Sequence, residues 1–181
     1  MLISESKSFL FVHVQKTAGT SLADILKPHA LNPANGRMNK LASDLGLVRD
    51  WRKFHFRKHA NLRKAQSVIP APVYDGLFKF AFVRNPWERL VSWYQYVQRT
   101  PLHEDCRPGE TFADFAARFL EKPRRAQWWM IEDLNGVMGL DYVGRFENLN
   151  DDIAYLCQRI GIKAQTLPHR NKMADKDYRT F

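Results

Sequence analysis

A run of six mostly apolar residues, Phe9-Leu10-Phe11-Val12-His13-Val14, stops at Gln15-Lys16-Thr17-Ala18-Gly19-Thr20-Ser21, and Leu22-Ala23-Asp24-Ile25-Leu26 then reads as a helix. A strand that ends on a lysine, a glycine and hydroxyls just before a helix makes an anion site. The first N–H groups of any helix lack intrahelical partners, and the macrodipole favours negative charge there. Gly19 lets the backbone approach a ligand, Thr17, Thr20 and Ser21 bring hydroxyls, and Lys16 adds a point charge. The common nucleotide loop places its lysine after the last glycine. Here Lys16 precedes the only glycine by three positions, so it reaches the ligand from the loop's entry. The same residues also spell an ordinary strand–turn–helix capped by Thr17 or Thr20, and this segment alone leaves both readings open.

A second junction repeats the theme. Lys79-Phe80-Ala81-Phe82-Val83 reads as a buried strand and ends in Arg84-Asn85-Pro86-Trp87-Glu88-Arg89-Leu90-Val91-Ser92-Trp93-Tyr94. Asn85 suits an N-cap and Pro86 the first helical position. Trp87, Leu90, Val91, Tyr94 and Val97 recur at helical spacing and are expected to face the core. Ser92 falls off that stripe with Arg89 and Tyr96. Arg84 is placed at a strand's carboxyl end, where ligands bind in open α/β sheets, and an arginine fork with a hydroxyl makes a second phosphate clamp.

These two blocks resemble the sulfotransferases that use 3′-phosphoadenosine 5′-phosphosulfate (PAPS). Lys16–Leu22 is similar to their 5′-phosphosulfate loop, and Phe82–Tyr94 to their 3′-phosphate segment. Gly144-Arg145-Phe146-Glu147-Asn148-Leu149 looks like a later block of the carbohydrate-sulfating branch, so the likeness runs from about Phe9 to Arg179. The resemblance implies a P-loop-like three-layer α/β fold with a central parallel sheet flanked by helices. It implies PAPS as donor, a hydroxyl of a carbohydrate or similar acceptor, and no metal. Lys16, Thr17, Gly19, Thr20 and Ser21 would hold the 5′ side of the donor, Arg84 and Ser92 the 3′-phosphate. Lys16 would also act in catalysis. His59 stands where carbohydrate sulfotransferases of this type carry a histidine before a short helix, and is preferred as general base over His55; His13, inside a strand, reads as a core residue.

The 181 residues, 45% of them hydrophobic, suit one domain spanning the whole chain. No run of eighteen apolar residues occurs, and the first residues lack a basic leader with an apolar segment, so a soluble cytoplasmic protein is expected. Cys106 and Cys157 are two and far apart, which gives neither a disulfide framework nor metal-ligand spacing. The net charge of +9 calls for an anionic partner, and much of it lies between Arg49 and Lys64. Basic residues interleaved with aromatics also suit nucleic acid, but two phosphate clamps favour a small donor or an acidic acceptor. An ATP- or GTP-dependent kinase or NTPase remains the rival enzyme.

Between the junctions, Arg37 to Leu45 reads as a short helix. Thr111 opens a helix through Leu120, Tyr142–Arg145 reads as a strand, and Asp151–Ile160 as an amphipathic helix stopped by Gly161. Gln127, Trp128 and Trp129 suit a core, or a platform for a sugar ring. Trp128, with His55 and with Arg124 for an acidic sugar, is a candidate on the acceptor side. Leu167–Lys172 resembles a loop that approaches the nucleotide in the family, which implies contacts from Arg170 and Lys172. Met173 replaces the family's usual hydroxyl residue, and the relatives continue beyond Phe181 with another helix, so the domain is expected to be short at that end.

Overall fold

A computed structural model of the chain describes residues 1–33 and 36–163. The sheet has four strands, β1 (Leu2–Ser4), β2 (Phe9–Val12), β3 (Phe78–Val83) and β4 (Tyr142–Arg145), in the order β1-β2-β3-β4. β2, β3 and β4 run parallel, with Phe11 opposite Phe80 and Phe80 opposite Tyr142. β1, which the sequence reading passed over, adds an antiparallel edge with Leu2 opposite Phe11. Parallel neighbours need long crossovers, and the helices supply them. α1 (Gly19–Leu26), α2 (Arg37–Asp44), α3 (Leu62–Val68) and α4 (Ala71–Asp75) connect β2 to β3. α5 (Pro86–Gln98), α6 (Phe112–Leu120) and α7 (Gln127–Ile131) connect β3 to β4, and α8 (Leu149–Arg159) follows.

Alternation along the strands sorts the core into two layers. Phe9, Phe11, Phe80 and Phe82 pack under Leu22, Ile25 and Leu26 of α1 and Ile153, Leu156 and Cys157 of α8. Leu10, Val12 and Ala81 face the other way, against Leu62 and Ala65 of α3, Tyr74 of α4 and Met130 and Ile131 of α7. Helices therefore cover both faces, as the three-layer reading requires. At Gly144 a Cβ would stand 2.6 Å from the Phe82 ring, so that glycine makes the room the aromatic layer needs.

A third cluster joins α5 to α6 through Leu90, Trp93, Val97, Phe115 and Phe119. Here the expected core stripe is corrected at its first member: Trp87 is 55% exposed, while Trp93 is buried. The packing partner meets α5 from Leu90 onward, and Trp87 in the first turn lies short of it. Asp105, 2% exposed, braces this unit by accepting from Lys122 at 2.9 Å and Arg125 at 2.6 Å.

Among the described residues no helix is long and apolar enough to cross a membrane. Arg170, Lys172 and Met173 lie outside the described residues.

Candidate functional site

Beyond Val12 the chain leaves the sheet, and Val14 N–H closes a tight turn onto Val12 O at 3.1 Å. Lys16 and Ala18 then take φ of +68° and +59°, left-handed values that non-glycine residues seldom adopt. Such alternation turns successive N–H groups toward a common point and makes anion-binding concavities. Thr17 is buried between them and its hydroxyl donates to Val14 O at 3.0 Å. Neither Thr17 nor Thr20 caps α1. The N-cap is Ala18, without a side-chain cap, so no capping oxygen competes for the first N–H groups of the helix.

Gly19 has a different reason from the one expected. A Cβ there would lie 2.1 Å from Cδ2 of His13, so the glycine is required by a buried ring beneath the loop. His13 is 4% exposed, and burial, followed by its neighbour His59, drives its pKa down to about 2. It is a neutral buried residue, as expected, although it lies just past the end of β2 and not within the strand. Its ring meets that of His59 edge-on, centroids 4.7 Å apart.

His59 Nδ1 lies 2.9 Å from the backbone oxygen of His13. A carbonyl only accepts, so Nδ1 carries the proton and Nε2 keeps its lone pair. Burial, only partly opposed by this hydrogen bond, holds the His59 pKa below the ordinary histidine value. Lys58, the residue before it, reaches Thr20 Oγ1 at 3.5 Å. That places a second cation at the start of α1. Sequence reasoning missed this role for Lys58; its position beside His59 in the basic run was the one available signal.

Lys16 rests its ammonium 4.4 Å from the centroid of the Tyr96 ring. Burial, then the charges of Arg84 and Arg99, pull its pKa down to about 8. The two expected clamps thus come together, with Lys16 from the end of β2 and Arg84 from the end of β3 in one positive field. Gln127 fixes the peptide of Arg84 from both sides, accepting from its N–H at 2.9 Å and donating to its oxygen at 2.8 Å. The Arg84 guanidinium stacks over Phe146 at 4.1 Å and reaches Glu88 at 3.3 Å. Asn85 caps α5 by accepting from the N–H of Trp87 and of Glu88.

Ser92 is buried between two contacts of α5 with the lysine loop. One turn before it, Arg89 donates to Gln15 O at 3.0 Å; one turn after it, Tyr96 carries Lys16. The helix face holding Ser92 therefore meets the loop that carries Lys16. Arg89 itself is 4% exposed and spans to Arg125 O at 2.9 Å, so it ties the loop to the segment before α7.

The acceptor-side candidates sit apart from this cluster. His55 lines a cavity of about 390 Å³ with Trp51, Phe54, Phe56 and Leu31, and its N–H donates to Ser43 Oγ at 2.9 Å. Arg124 lies 5.9 Å from the Trp129 ring. Trp128 is 49% exposed and directly follows the Gln127 that clasps Arg84. Among the described residues no three His, Cys, Asp or Glu side chains gather to hold a metal.

A family described as the sulfotransferase family matches the chain over residues 1–180. An uncharacterized protein of Archaeoglobus fulgidus is 30% identical over 115 residues, covering 63% of this chain and 92% of that one. The crystal structure of a sulfotransferase from Alicyclobacillus acidocaldarius superposes with a TM-score of 0.52 at 18% identity, over 96% of this chain and 88% of that one. It shares the fold.

Proposed function

The chain belongs to the sulfotransferase family, and we propose that it moves a sulfuryl group from PAPS to a hydroxyl of a carbohydrate or similar acceptor. The observation that supports this reading best is the pairing of Lys16 and Arg84. The two come from adjacent strand ends, and burial together with the charge of Arg84 makes the Lys16 ammonium costly to hold. A polyanion relieves that cost, and one with phosphates on both sides of a ribose can engage both.

The reaction is an in-line displacement. The acceptor oxygen forms a bond to sulfur as the bond from sulfur to the bridging phosphate oxygen breaks, and adenosine 3′,5′-bisphosphate leaves. Negative charge grows on that bridging oxygen, so a cation placed there favours the transition state over the ground state. Lys16 is that cation. Gly19, Thr20 and Ser21 hold the 5′-phosphate at the uncapped start of α1, and Thr17 shapes the loop through its bond to Val14. Arg84 and Ser92 take the 3′-phosphate. The hydroxyl proton passes to Nε2 of His59, which is unprotonated at neutral pH because burial lowers its pKa. Trp128, next in sequence to the Gln127 that clasps Arg84, offers a ring face for a sugar, with Arg124 for an acidic group, and His55 in its own cavity is a further acceptor-side candidate.

Calorimetry tests the donor. The protein should bind adenosine 3′,5′-bisphosphate without added metal and more tightly than AMP. Preference for ATP with Mg²⁺ over the bisphosphate would sink the sulfotransfer reading in favour of a kinase or NTPase. Salt-steep binding of any polyanion, with no preference for the bisphosphate, would favour a nucleic-acid module.

A further inference from the structure

α2 is built inside out. At 3.6 residues per turn, Met38, Leu41, Ala42 and Leu45 fall within about 100° of one another and form an apolar stripe. In a helix packed on a sheet that stripe faces inward. Here Met38 is 79% exposed, Leu41 54% and Leu45 63%. The side turned to the protein is polar. Ser43, 1% exposed, accepts from His55 N–H, and Asn39 donates to Lys53 O at 3.1 Å. The helix is therefore fastened by hydrogen bonds and presents its hydrophobic face to solvent.

The end of the helix extends the stripe. Gly46 takes φ of +70°, Gly46 N–H donates to Ser43 O at 3.2 Å and Leu47 N–H to Ala42 O at 2.8 Å. This pair of bonds is the glycine-terminated helix stop that folds the next residue back onto the last turn. In most proteins that residue packs against a buried neighbour; Leu47 is 69% exposed. Four large apolar side chains thus make one outward ridge. At its two ends stand exposed cations, Arg37 flanking the stripe in the first turn and Arg49 two residues after Leu47; Lys40 lies about 150° round the helix, toward Ser43, and Arg57 is held by Asp44 at 2.8 Å.

We infer that this ridge is a docking surface for an anionic lipid bilayer. A short helix with outward Met and Leu side chains and a cation at either end matches what lies in the interface of a charged membrane. Apolar side chains enter the headgroup boundary while the cations meet lipid phosphates, and the +9 charge of the whole chain works in the same direction. A bilayer supplies negative charge all along the ridge, so it meets Arg37 at one end and Arg49 at the other together. The inference does not depend on the proposed reaction.

Sedimentation of the full chain with vesicles tests it. With about a third phosphatidylglycerol in phosphatidylcholine the protein should pellet, and with phosphatidylcholine alone it should largely stay in solution. Arg37→Gln and Arg49→Gln should each weaken binding about fivefold. Leu41→Asp and Leu45→Asp should each weaken it at least tenfold, with nucleotide binding and melting temperature unchanged because both side chains point away from the fold. Met38→Ser, a milder change, should weaken it less but in the same direction. Failure to bind anionic vesicles, or undiminished binding by Leu41→Asp, would overturn the proposal. So would a dimer in the absence of lipid that Leu41→Asp dissociates, since the ridge would then belong to a second copy of the chain.

Discussion

His59 donates its Nδ1 proton to the backbone oxygen of His13, 2.9 Å away, in the last residues before the anion loop. One bond thereby decides which nitrogen of His59 keeps its lone pair, and it ties that ring to the segment that leads into Lys16. The ring of His13 closes the arrangement by filling the space under Gly19.

Replacing His59 by alanine should lower turnover roughly 10²-fold or more while leaving bisphosphate affinity unchanged. His59→Asn is the sharper variant, because its amide can still donate to His13 O but offers no base. It should be as inactive as alanine. In the wild type the acid limb of the rate profile should lie below the ordinary histidine value of 6.5, since burial disfavours the charged ring. Retained turnover in both variants would move the base elsewhere, with His55→Ala the next variant to measure.

His13 should make folding sensitive to acid. Its folded pKa is about 2 against an ordinary 6.5, so below 6.5 the unfolded chain binds a proton that the native state refuses. Stability from this group is complete above 6.5 and is lost as pH falls, by at most about 1.4 kcal/mol per unit. Thermal melts from pH 7.5 to 5 should show a steeper decline in wild type than in His13→Gln, where no proton is taken up. Parallel slopes would contradict the burial of a neutral ring.

Lys16 should show the opposite dependence in ligand binding. Its ammonium is charged below about 8 and loses the proton above it. Affinity for the bisphosphate should therefore fall as pH rises through 8, by up to tenfold per unit, and Lys16→Ala should abolish that slope. Lys16→Ala should also lower turnover more than it weakens the product, since its charge is asked to meet the transition state. Lys16→Arg should bind at pH 9 yet turn over poorly, because a planar head replaces a compact one. A flat affinity profile in wild type would remove Lys16 from the donor site.

The elements that were legible carry strong local marks. β2 and β3 are apolar runs cut by charged residues, α5 has Asn85-Pro86 at its start, and α6 has Thr111 accepting from Asp114 N–H as the capping pattern predicts. β1 escaped because three residues on an antiparallel edge show no period. The loop was legible as the junction between β2 and α1, but the reason for Gly19 was not, since the His13 ring beneath it is known only once the chain turns back at Val14. Lys58 and Thr20 are 38 residues apart, and Gln127 and Arg84 are 43 apart. Such pairs are made by the crossovers and leave no trace in local sequence. Trp87 and Trp93 illustrate the limit of periodicity: the expected stripe included Trp87 and left out Trp93, and the reach of the packing partner buried Trp93 instead.

Arg84 should decide the choice between nucleotides, and Gln127 should act on it from behind. Arg84→Ala removes a charged fork worth about 1.5–3 kcal/mol, so affinity for adenosine 3′,5′-bisphosphate should drop roughly 10- to 150-fold while AMP changes little. Among the described residues the Gln127 side chain hydrogen-bonds the peptide of Arg84, through bonds of 2.9 and 2.8 Å. Gln127→Ala frees that peptide, and the guanidinium, still stacked near Phe146, loses a fixed origin. The expected loss is smaller than for Arg84→Ala but shows the same bias toward the bisphosphate. In the double variant Gln127 should add almost nothing to the loss in affinity, because its effect travels through the arginine. Equal losses for AMP and bisphosphate in Arg84→Ala would make the residue structural, and additive losses in the double variant would give Gln127 a contact of its own with the ligand.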